Sequence, residues 1–340
     1  MVQLEKCRLY AVKYDRTLIL DMSRSGLNQQ LDTYFTTRQN FGCEIIHWRD
    51  HMAEAFDAAA SVRPDALRHR ISSYTPKYTR SSRIRCDVET GTPILFDHGK
   101  DHPEHVLVYE QSGGGFVSFH LLQRLTLQPD VAEIIFNRIE ALGSGYDAVH
   151  TRHSDYKTQF YEFLSNLRSA LKNRRVLICS DSATAKAQAQ QILHPSTTVL
   201  SVSDTPDTQG KALHLSSILD SASVNTDLLT DLFALSGSDT LFFSRLSKQQ
   251  RNSVTVSGFS LLADLLHRHR EVVKDLFSAL DADRVARVFD KKPKALSWRR
   301  RYHLLMVYRW NFEAKRKAVQ RNYHATMRRP KPENLPPKFR

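Results

Sequence analysis

Short apolar runs alternate with longer amphipathic stretches along the chain. Each run is closed by a polar or glycine-bearing segment, which is typical of strands buried in a parallel sheet. The runs that predict strands are RTLILD at 16–21, CEIIHW at 43–48, HVLVYE at 105–110, DAVH at 147–150, RVLIC at 175–179, TVLSV at 198–202 and TLFF at 240–243.

The stretches between these runs predict helices. Helices are expected over Asp130–Leu142, from Ser182 as N-cap through Gln191, over Asp227–Leu235 and over Phe259–His267. Strands that alternate with helices build doubly wound α/β sheets, and such sheets bind ligands at the carboxyl ends of their strands. The fold class predicted is therefore α/β.

Two successive sets of strands and helices predict two domains. The Pro129 region, which opens a new helix, places the boundary: residues 1–127 form an N-terminal α/β domain, and residues 128–290 form a C-terminal one. Residues 291–340 form a tail. The cleft between two such domains is the expected active site.

The net charge is concentrated in that tail. The 340 residues include 49 Lys plus Arg and 36 Asp plus Glu, which gives a formal charge of +13. Residues 291–340 hold 16 of the basic residues and only two acidic ones, so the preceding body is close to neutral. The four cysteines are far apart and form no CxxC pair, which favours a reducing compartment over a disulfide scaffold.

Common catalytic motifs are missing from the sequence. It contains no G-x-x-x-x-G-K-[ST], G-x-S-x-G or H-E-x-x-H, which argues against P-loop, α/β-hydrolase and zinc-protease chemistry. The Gly-rich run at 143–148 precedes a strand instead of a helix and is not a dinucleotide fingerprint. With neither a signal peptide nor a long apolar span, the chain is expected to be cytoplasmic.

The segment YDAVHTRHSDYK at 146–157 carries the richest chemistry, because a buried strand ends there in basic and acidic side chains. Arg152 offers planar bidentate donors suited to phosphate oxygens. His150 could hydrogen-bond a base or a sugar, and Asp155 could fix the arginine or a ribose hydroxyl. The alternative is a solvated loop with an Arg–Asp pair. A metal site is disfavoured, because a cationic arginine would lie among the ligands.

Two other segments place polar groups at strand or helix ends. RVLICSD ends in Ser180 and Asp181, and helix capping is the simplest role for the residues that follow. Asp231 lies in a helix that precedes a buried strand. Ser257 and Ser260 begin a further helix, where hydroxyls and free N–H groups suit phosphate, although capping alone would also explain the serines.

Together these motifs resemble the nodulation-type chitooligosaccharide fucosyltransferases and the related core α-1,6- and protein O-fucosyltransferases. The resemblance covers mainly residues 127–270. It rests on the run His150-Thr151-Arg152-His153-Ser154-Asp155, on Ser180-Asp181, and on the Asp231 helix followed by the strand at 240–243 and by Ser257-Gly258-Phe259-Ser260.

The resemblance implies a GT-B-like fold, with two Rossmann-like domains, and a metal-independent, inverting transfer of fucose from GDP-fucose to a glycan of the nodulation-factor or envelope type. The C-terminal domain would hold the donor and the N-terminal domain the acceptor. Arg152 would bind the β-phosphate and act as the catalytic residue. The other donor-binding positions implied are His150, His153, Asp155, Asp181, Asp231, Ser257 and Ser260. Neither a metal nor a further cofactor is expected.

The tail mixes aromatic residues with many lysines and arginines, a composition suited to an anionic surface. For an enzyme of envelope glycans it predicts attachment to the inner face of the membrane. The alternative is a helix that packs its aromatic residues on the body. Two rival functions remain: a glycosyltransferase of the same fold with another nucleotide sugar, and a nucleic-acid-binding protein acting through the tail. The near-neutral body makes nucleic acid the weaker partner.

Overall fold

The computed structural model describes most of the chain up to residue 290. The described residues are 1–22, 28–79, 84–111, 115, 117–154, 158, 160–205, 220–244 and 256–290. The predicted tail at 291–340 and the predicted donor-binding residue Asp155 lie outside them.

The helices and strands follow in chain order. The helices are α1 (Val2–Lys13), α2 (Ala53–Asp57), α3 (Ser118–Leu122), α4 (Pro129–Ala141), α5 (Phe160–Leu171), α6 (Ala183–Leu193), α7 (Ser221–Gly237), α8 (Gly258–Arg268), α9 (Arg270–Leu276) and α10 (Ala282–Phe289). The strands are β1 (Leu18–Leu20), β2 (Phe35–Thr37), β3 (Ile45–His47), β4 (Val62–Arg63), β5 (Pro76–Thr79), β6 (Ile84–Asp87), β7 (Val106–Leu107), β8 (Leu125–Leu127), β9 (Asp147–Thr151), β10 (Arg175–Ser180), β11 (Thr198–Leu200) and β12 (Leu241–Phe243).

Contacts divide the described chain into two compact units. The larger unit contains Met1–Glu5, Ile19–Trp48 and the chain from Gly114 onward, whereas the smaller unit contains Lys6–Leu18 and Arg49–Gly113. The first 113 residues are thus shared between the two units. The domain boundaries expected near residues 127 and 290 stay predictions. The boundaries between the two compact units lie at other positions in the chain.

The larger unit is built on a four-stranded parallel sheet with the order β11-β10-β9-β12. All five residues of β9 are buried, because the strand lies between two others and is covered on both faces. The strand order runs outward from β9 in both directions, through β10 to β11 on one side and to β12 on the other. This is the doubly wound arrangement that the alternation of strands and helices predicts.

Helices of the larger unit form two groups. Helix α5 packs against α6, while α4 and α8 both pack against α7. Helix α6 begins at Ser182, whose hydroxyl accepts a hydrogen bond from the Ala185 N–H at 3.3 Å. The capping role expected for Ser182 is confirmed, and it fixes the turn directly after β10.

Four phenylalanines form the largest part of the core between the second group of helices. Phe136, Phe233, Phe277 and Phe289 are each at most 1% exposed. The Phe277 ring lies 5.5 Å from that of Phe136 and 5.3 Å from that of Phe233, in edge-to-face contacts. Such aromatic pairs stabilise a core beyond the area they bury.

Strands outside the four-stranded sheet pair two by two. In the larger unit β1 pairs with β3, and β2 pairs antiparallel with β8. In the smaller unit β5 and β6 form an antiparallel hairpin, and β4 runs parallel to β7. The strands expected near residues 18, 45 and 106 are therefore present but short; the first two pair with each other, and the third pairs with β4. A single N-terminal parallel sheet is not what the described residues form.

Candidate nucleotide site

His150 occupies the carboxyl end of β9, where it is buried and held in one orientation. Its Nδ1 lies 2.7 Å from the Ser260 Oγ, and its ring centroid lies 4.9 Å from that of Phe259. Burial lowers the pKa of His150 to about 4, with a smaller opposing effect of Asp181 and a further lowering by Arg152. At neutral pH the imidazole is therefore uncharged and carries one donor and one acceptor nitrogen.

Asp181, at the end of β10, organises the loop that follows His150. Its Oδ1 accepts hydrogen bonds from the backbone N–H of His153 at 2.7 Å and of Ser154 at 3.2 Å. Its Oδ2 accepts a third bond from the Ser154 hydroxyl at 2.5 Å. A single carboxylate thus satisfies three donors and holds the chain in a tight turn at the sheet edge.

Arg152 points its guanidinium toward the same carboxylate. Its Nε lies 3.8 Å from Asp181 Oδ2, and its side chain remains 29% exposed. The arginine is thereby held near the edge of the sheet with its side chain partly exposed. Bidentate contact with an oxyanion requires both an oriented guanidinium and access to it.

His153 contacts its own loop. Its Nδ1 lies 3.3 Å from the Thr158 hydroxyl, and its ring lies 5.0 Å from Phe160 at the start of α5. Arg152 and Ser154 thus contact Asp181, which follows the neighbouring strand, whereas His153 contacts residues of its own segment. The ligand-binding role of this segment stays a prediction.

Asp231 lies inside α7, in a buried polar cluster on the His150 side of the sheet. Its Oδ1 accepts a hydrogen bond from the Ser203 hydroxyl at 2.6 Å, and the Lys186 ammonium donates to the same Ser203 oxygen at 3.1 Å. Burial raises the pKa of Asp231, against the opposing effects of Lys186, Ser203 and Cys179. Cys179 pairs in register with His150, so these two side chains lie on one face of the sheet.

The two serines at the start of α8 have different contacts. Ser257 is the N-cap, and its hydroxyl accepts from the Phe259 N–H at 3.3 Å. Ser260 lies one turn further and binds His150. The N-terminus of α8 is thus brought next to the carboxyl end of β9. The diphosphate contact expected for Ser257 and Ser260 stays a prediction.

Several contributors to this site carry no recognisable signal in the sequence. Ser203 and Lys186 lie outside the predicted motifs, and they meet Asp231 only because α6, α7 and the segment after β11 converge. Ser154 stands within the predicted run, but its contact with Asp181 depends on the pairing of two strands.

Neither a cluster of metal ligands nor a membrane-spanning helix is present in the part of the chain that the structure describes. The described ranges contain no cluster of three or more His, Cys, Asp or Glu side chains that could hold a metal ion. Within the same ranges, no helix is long and apolar enough to cross a membrane.

Comparison with known proteins identifies the fold class. No family model matches the chain, and no curated protein sequence does. Among solved structures, it is similar to NodZ alpha-1,6-fucosyltransferase co-crystallized with GDP, at 17% identity and a TM-score of 0.51, over 78% of this chain and 88% of that one. A structure of fucosyltransferase NodZ from Bradyrhizobium has 15% identity and a TM-score of 0.49 over the same shares.

The chain therefore has the fold of a GT-B-like α/β protein, and the fold class predicted from the sequence is confirmed. Within that class, the structure it is similar to is a NodZ fucosyltransferase. At this level of identity the likeness establishes the fold alone.

Proposed function

We propose that the protein is a glycosyltransferase that moves fucose from GDP-fucose to a glycan acceptor, with inversion and without a metal ion. The observation that carries the proposal is the Arg152 guanidinium, which forms an ion pair with Asp181 at 3.8 Å, at the carboxyl end of the parallel sheet beside the neutral His150. The fold supports it, since the structure with the same fold was co-crystallized with GDP.

Arg152 supplies the positive charge that the reaction needs. When the bond between fucose C1 and the diphosphate breaks, the acceptor oxygen takes the place of the diphosphate and negative charge grows on the leaving group. A preorganised cation at that position stabilises this charge in the transition state. Because Asp181 already orients Arg152, little reorganisation is required when the donor binds.

The remaining groups are assigned to binding and positioning. Ser260 is committed to His150 and orients the imidazole toward its ligand, which we take to be the guanine. Asp231 would contribute to guanine recognition from the same face of the sheet. Ser257 caps α8 and leaves backbone N–H groups of the first turn for the diphosphate.

The acceptor and the tail complete the proposal. An acceptor glycan would bind residues of the N-terminal part, and the basic residues of 291–340 would hold the protein to an anionic membrane face. Nucleic acid is the less favoured partner, because the body outside the tail is close to neutral.

A thermal-shift panel tests the donor. GDP, UDP and ADP are each added to the full chain, with and without EDTA. GDP at about 100 times its dissociation constant should add about 2.7 kcal/mol to the free energy of unfolding. EDTA should leave that gain intact.

Three outcomes would contradict parts of the proposal. Stabilisation by UDP in preference to GDP would replace fucose with the sugar of another nucleotide. A strict requirement for Mg²⁺ or Mn²⁺ would overturn the metal-independent reaction. If no nucleoside diphosphate stabilises the chain, the protein is not a nucleotide-sugar transferase.

A further inference from the structure

Ser244 follows the last residue of β12, at the same end of the sheet as His150 and Arg152. It is 3% exposed, and its backbone N–H donates to the His150 carbonyl at 3.2 Å. Since Phe243 pairs with His150, the next step of the register places Ser244 beside Thr151, one residue before Arg152.

The hydroxyl of Ser244 is buried and has no hydrogen-bond partner among the residues that the structure describes. Other buried serines of this unit are paired: the Ser236 hydroxyl donates to the Phe233 carbonyl at 2.6 Å, and the Ser238 hydroxyl donates to the Leu235 carbonyl at 2.8 Å. A buried hydroxyl without a partner is unfavourable, so each case in a folded protein asks for an explanation.

Position distinguishes Ser244 from several other buried atoms that have no hydrogen-bond partner among the described residues. Those of Tyr10, His98 and Glu104 belong to the smaller unit, which contributes no strand to the four-stranded sheet. Ser244 stands at the carboxyl end of the four-stranded sheet, where ligands of parallel α/β sheets bind. An acceptor atom supplied by a ligand would satisfy the hydroxyl.

We propose that the Ser244 hydroxyl donates a hydrogen bond to a phosphate oxygen of the nucleoside diphosphate. A phosphate is favoured because the register places Ser244 beside the residue that precedes Arg152, the predicted phosphate ligand. Rotation about χ1 redirects a serine hydroxyl between three staggered positions without moving the backbone. This assignment rests on the proposed function and adds a donor-binding residue to it.

The test measures nucleotide affinity by calorimetry for the full chain and for Ser244→Ala. The alanine variant should bind GDP about tenfold or more weakly, because a hydrogen bond to a charged group is lost. Its melting temperature without ligand should be unchanged or higher, since an unpaired hydroxyl is removed. Affinity for guanosine, which lacks phosphate, should match that of the parent.

Ser238→Ala is the matched control, because it removes a buried serine hydroxyl before the opposite end of β12. It should lower the melting temperature and leave GDP affinity intact. Ser244→Cys, a weak donor of similar shape, provides a second removal variant if the alanine variant fails to fold.

The outcomes separate the two proposals. If the parent binds GDP and both Ser244 variants bind it equally well, the Ser244 assignment is wrong and the proposed function stands. An equal loss of guanosine affinity would overturn the phosphate contact. If the parent binds no nucleoside diphosphate, the proposed function fails and this assignment fails with it.

Discussion

Arg152 combines an ion pair to Asp181 with partial exposure to solvent. Its guanidinium is oriented by a carboxylate 3.8 Å away, yet 29% of its side chain is exposed. An exposed ion pair of this length adds little to stability. The ion pair with Asp181 is therefore a weak contribution to the stability of the fold, and the ligand contact proposed for Arg152 is the property to test.

Arg152→Lys tests this interpretation at the level of one residue. Lysine keeps the positive charge but cannot contact two oxygens through a planar fork. Loss of preorganised stabilisation at the leaving group costs on the order of 3 kcal/mol, so fucose transfer should fall at least ~10²-fold. Initial rates with GDP-fucose and a chitooligosaccharide measure the effect.

His153→Ala provides the comparison for Arg152→Lys. His153 contacts Thr158 and Phe160 within its own loop, so its loss should reduce transfer less. Circular dichroism must show that both variants are folded. Transfer by Arg152→Lys at the parental rate would mean that the arginine has no role in the chemistry.

His150 makes the stability of the fold sensitive to acid. Its pKa of about 4 in the folded chain lies below the ordinary value near 6.5, so the unfolded chain binds the proton more readily between these values. The stabilisation is complete above about pH 6.5 and is lost as the pH falls toward 4.

The measurement is urea unfolding of the parent and of His150→Gln between pH 7 and pH 4. The difference in unfolding free energy between the two should shrink by about 3 kcal/mol over this range. His267, whose pKa burial also lowers to about 4, adds to the acid sensitivity of both proteins and cancels in the difference. Parallel pH profiles would show that His150 does not titrate as its burial implies.

The loop after β9 is held mainly from the neighbouring strand. Three of its donors end on Asp181, which belongs to the turn between β10 and α6. Asp181→Ala leaves two backbone N–H groups without this partner, which should cost about 1–3 kcal/mol of unfolding free energy. Because Arg152 loses its orienting group, GDP affinity should fall more than tenfold in calorimetric titrations.

Asp281→Ala is the matched control for that change. Asp281 caps α10 by accepting from the Arg284 N–H at 2.7 Å, far along the chain from the predicted motifs. Its removal should also destabilise the fold by about 1 kcal/mol, without weakening GDP binding. Equal losses of GDP affinity in the two variants would mean that Asp181 acts only through global stability.

The elements around this loop could largely be predicted from the sequence. The strands of the four-stranded sheet and helices α4, α6, α7 and α8 are confirmed, because long amphipathic stretches and continuous apolar runs give strong periodic signals. Hairpin β5–β6 was not predicted: its residues are mostly half-exposed and polar, and PKYT and IRCD show no clear alternation.

The residues of the candidate site were likewise predictable only in part from the sequence. His150 and Arg152 could be found because they follow a buried run directly. The three-donor role of Asp181 and the contact of Asp231 with Ser203 depend on which strands become neighbours. Pairings between distant segments leave no local pattern, so a single sequence does not reveal them.

The charge asymmetry is a property of the whole molecule. A chain ending at residue 290 should lose its affinity for vesicles that contain anionic lipid, because 16 basic residues are removed with two acidic ones. Cosedimentation with vesicles with and without phosphatidylserine measures this. Binding of the parent should weaken in high salt. Undiminished binding by the shortened chain would place the contact on the body instead.

Segments that pair in the fold are far apart along the chain, so an early strand must remain unpaired during synthesis until its partner is made. The chain passes between the units after residues 5, 18, 48 and 113, so neither unit is a continuous segment that one cut could release. Strand β2 leaves the ribosome some 90 residues before its partner β8. At about 5–20 residues per second, that strand stays unpaired for roughly 5–20 seconds. Chaperone dependence in the cell should therefore arise early in translation, long before the residues of the candidate nucleotide site are complete.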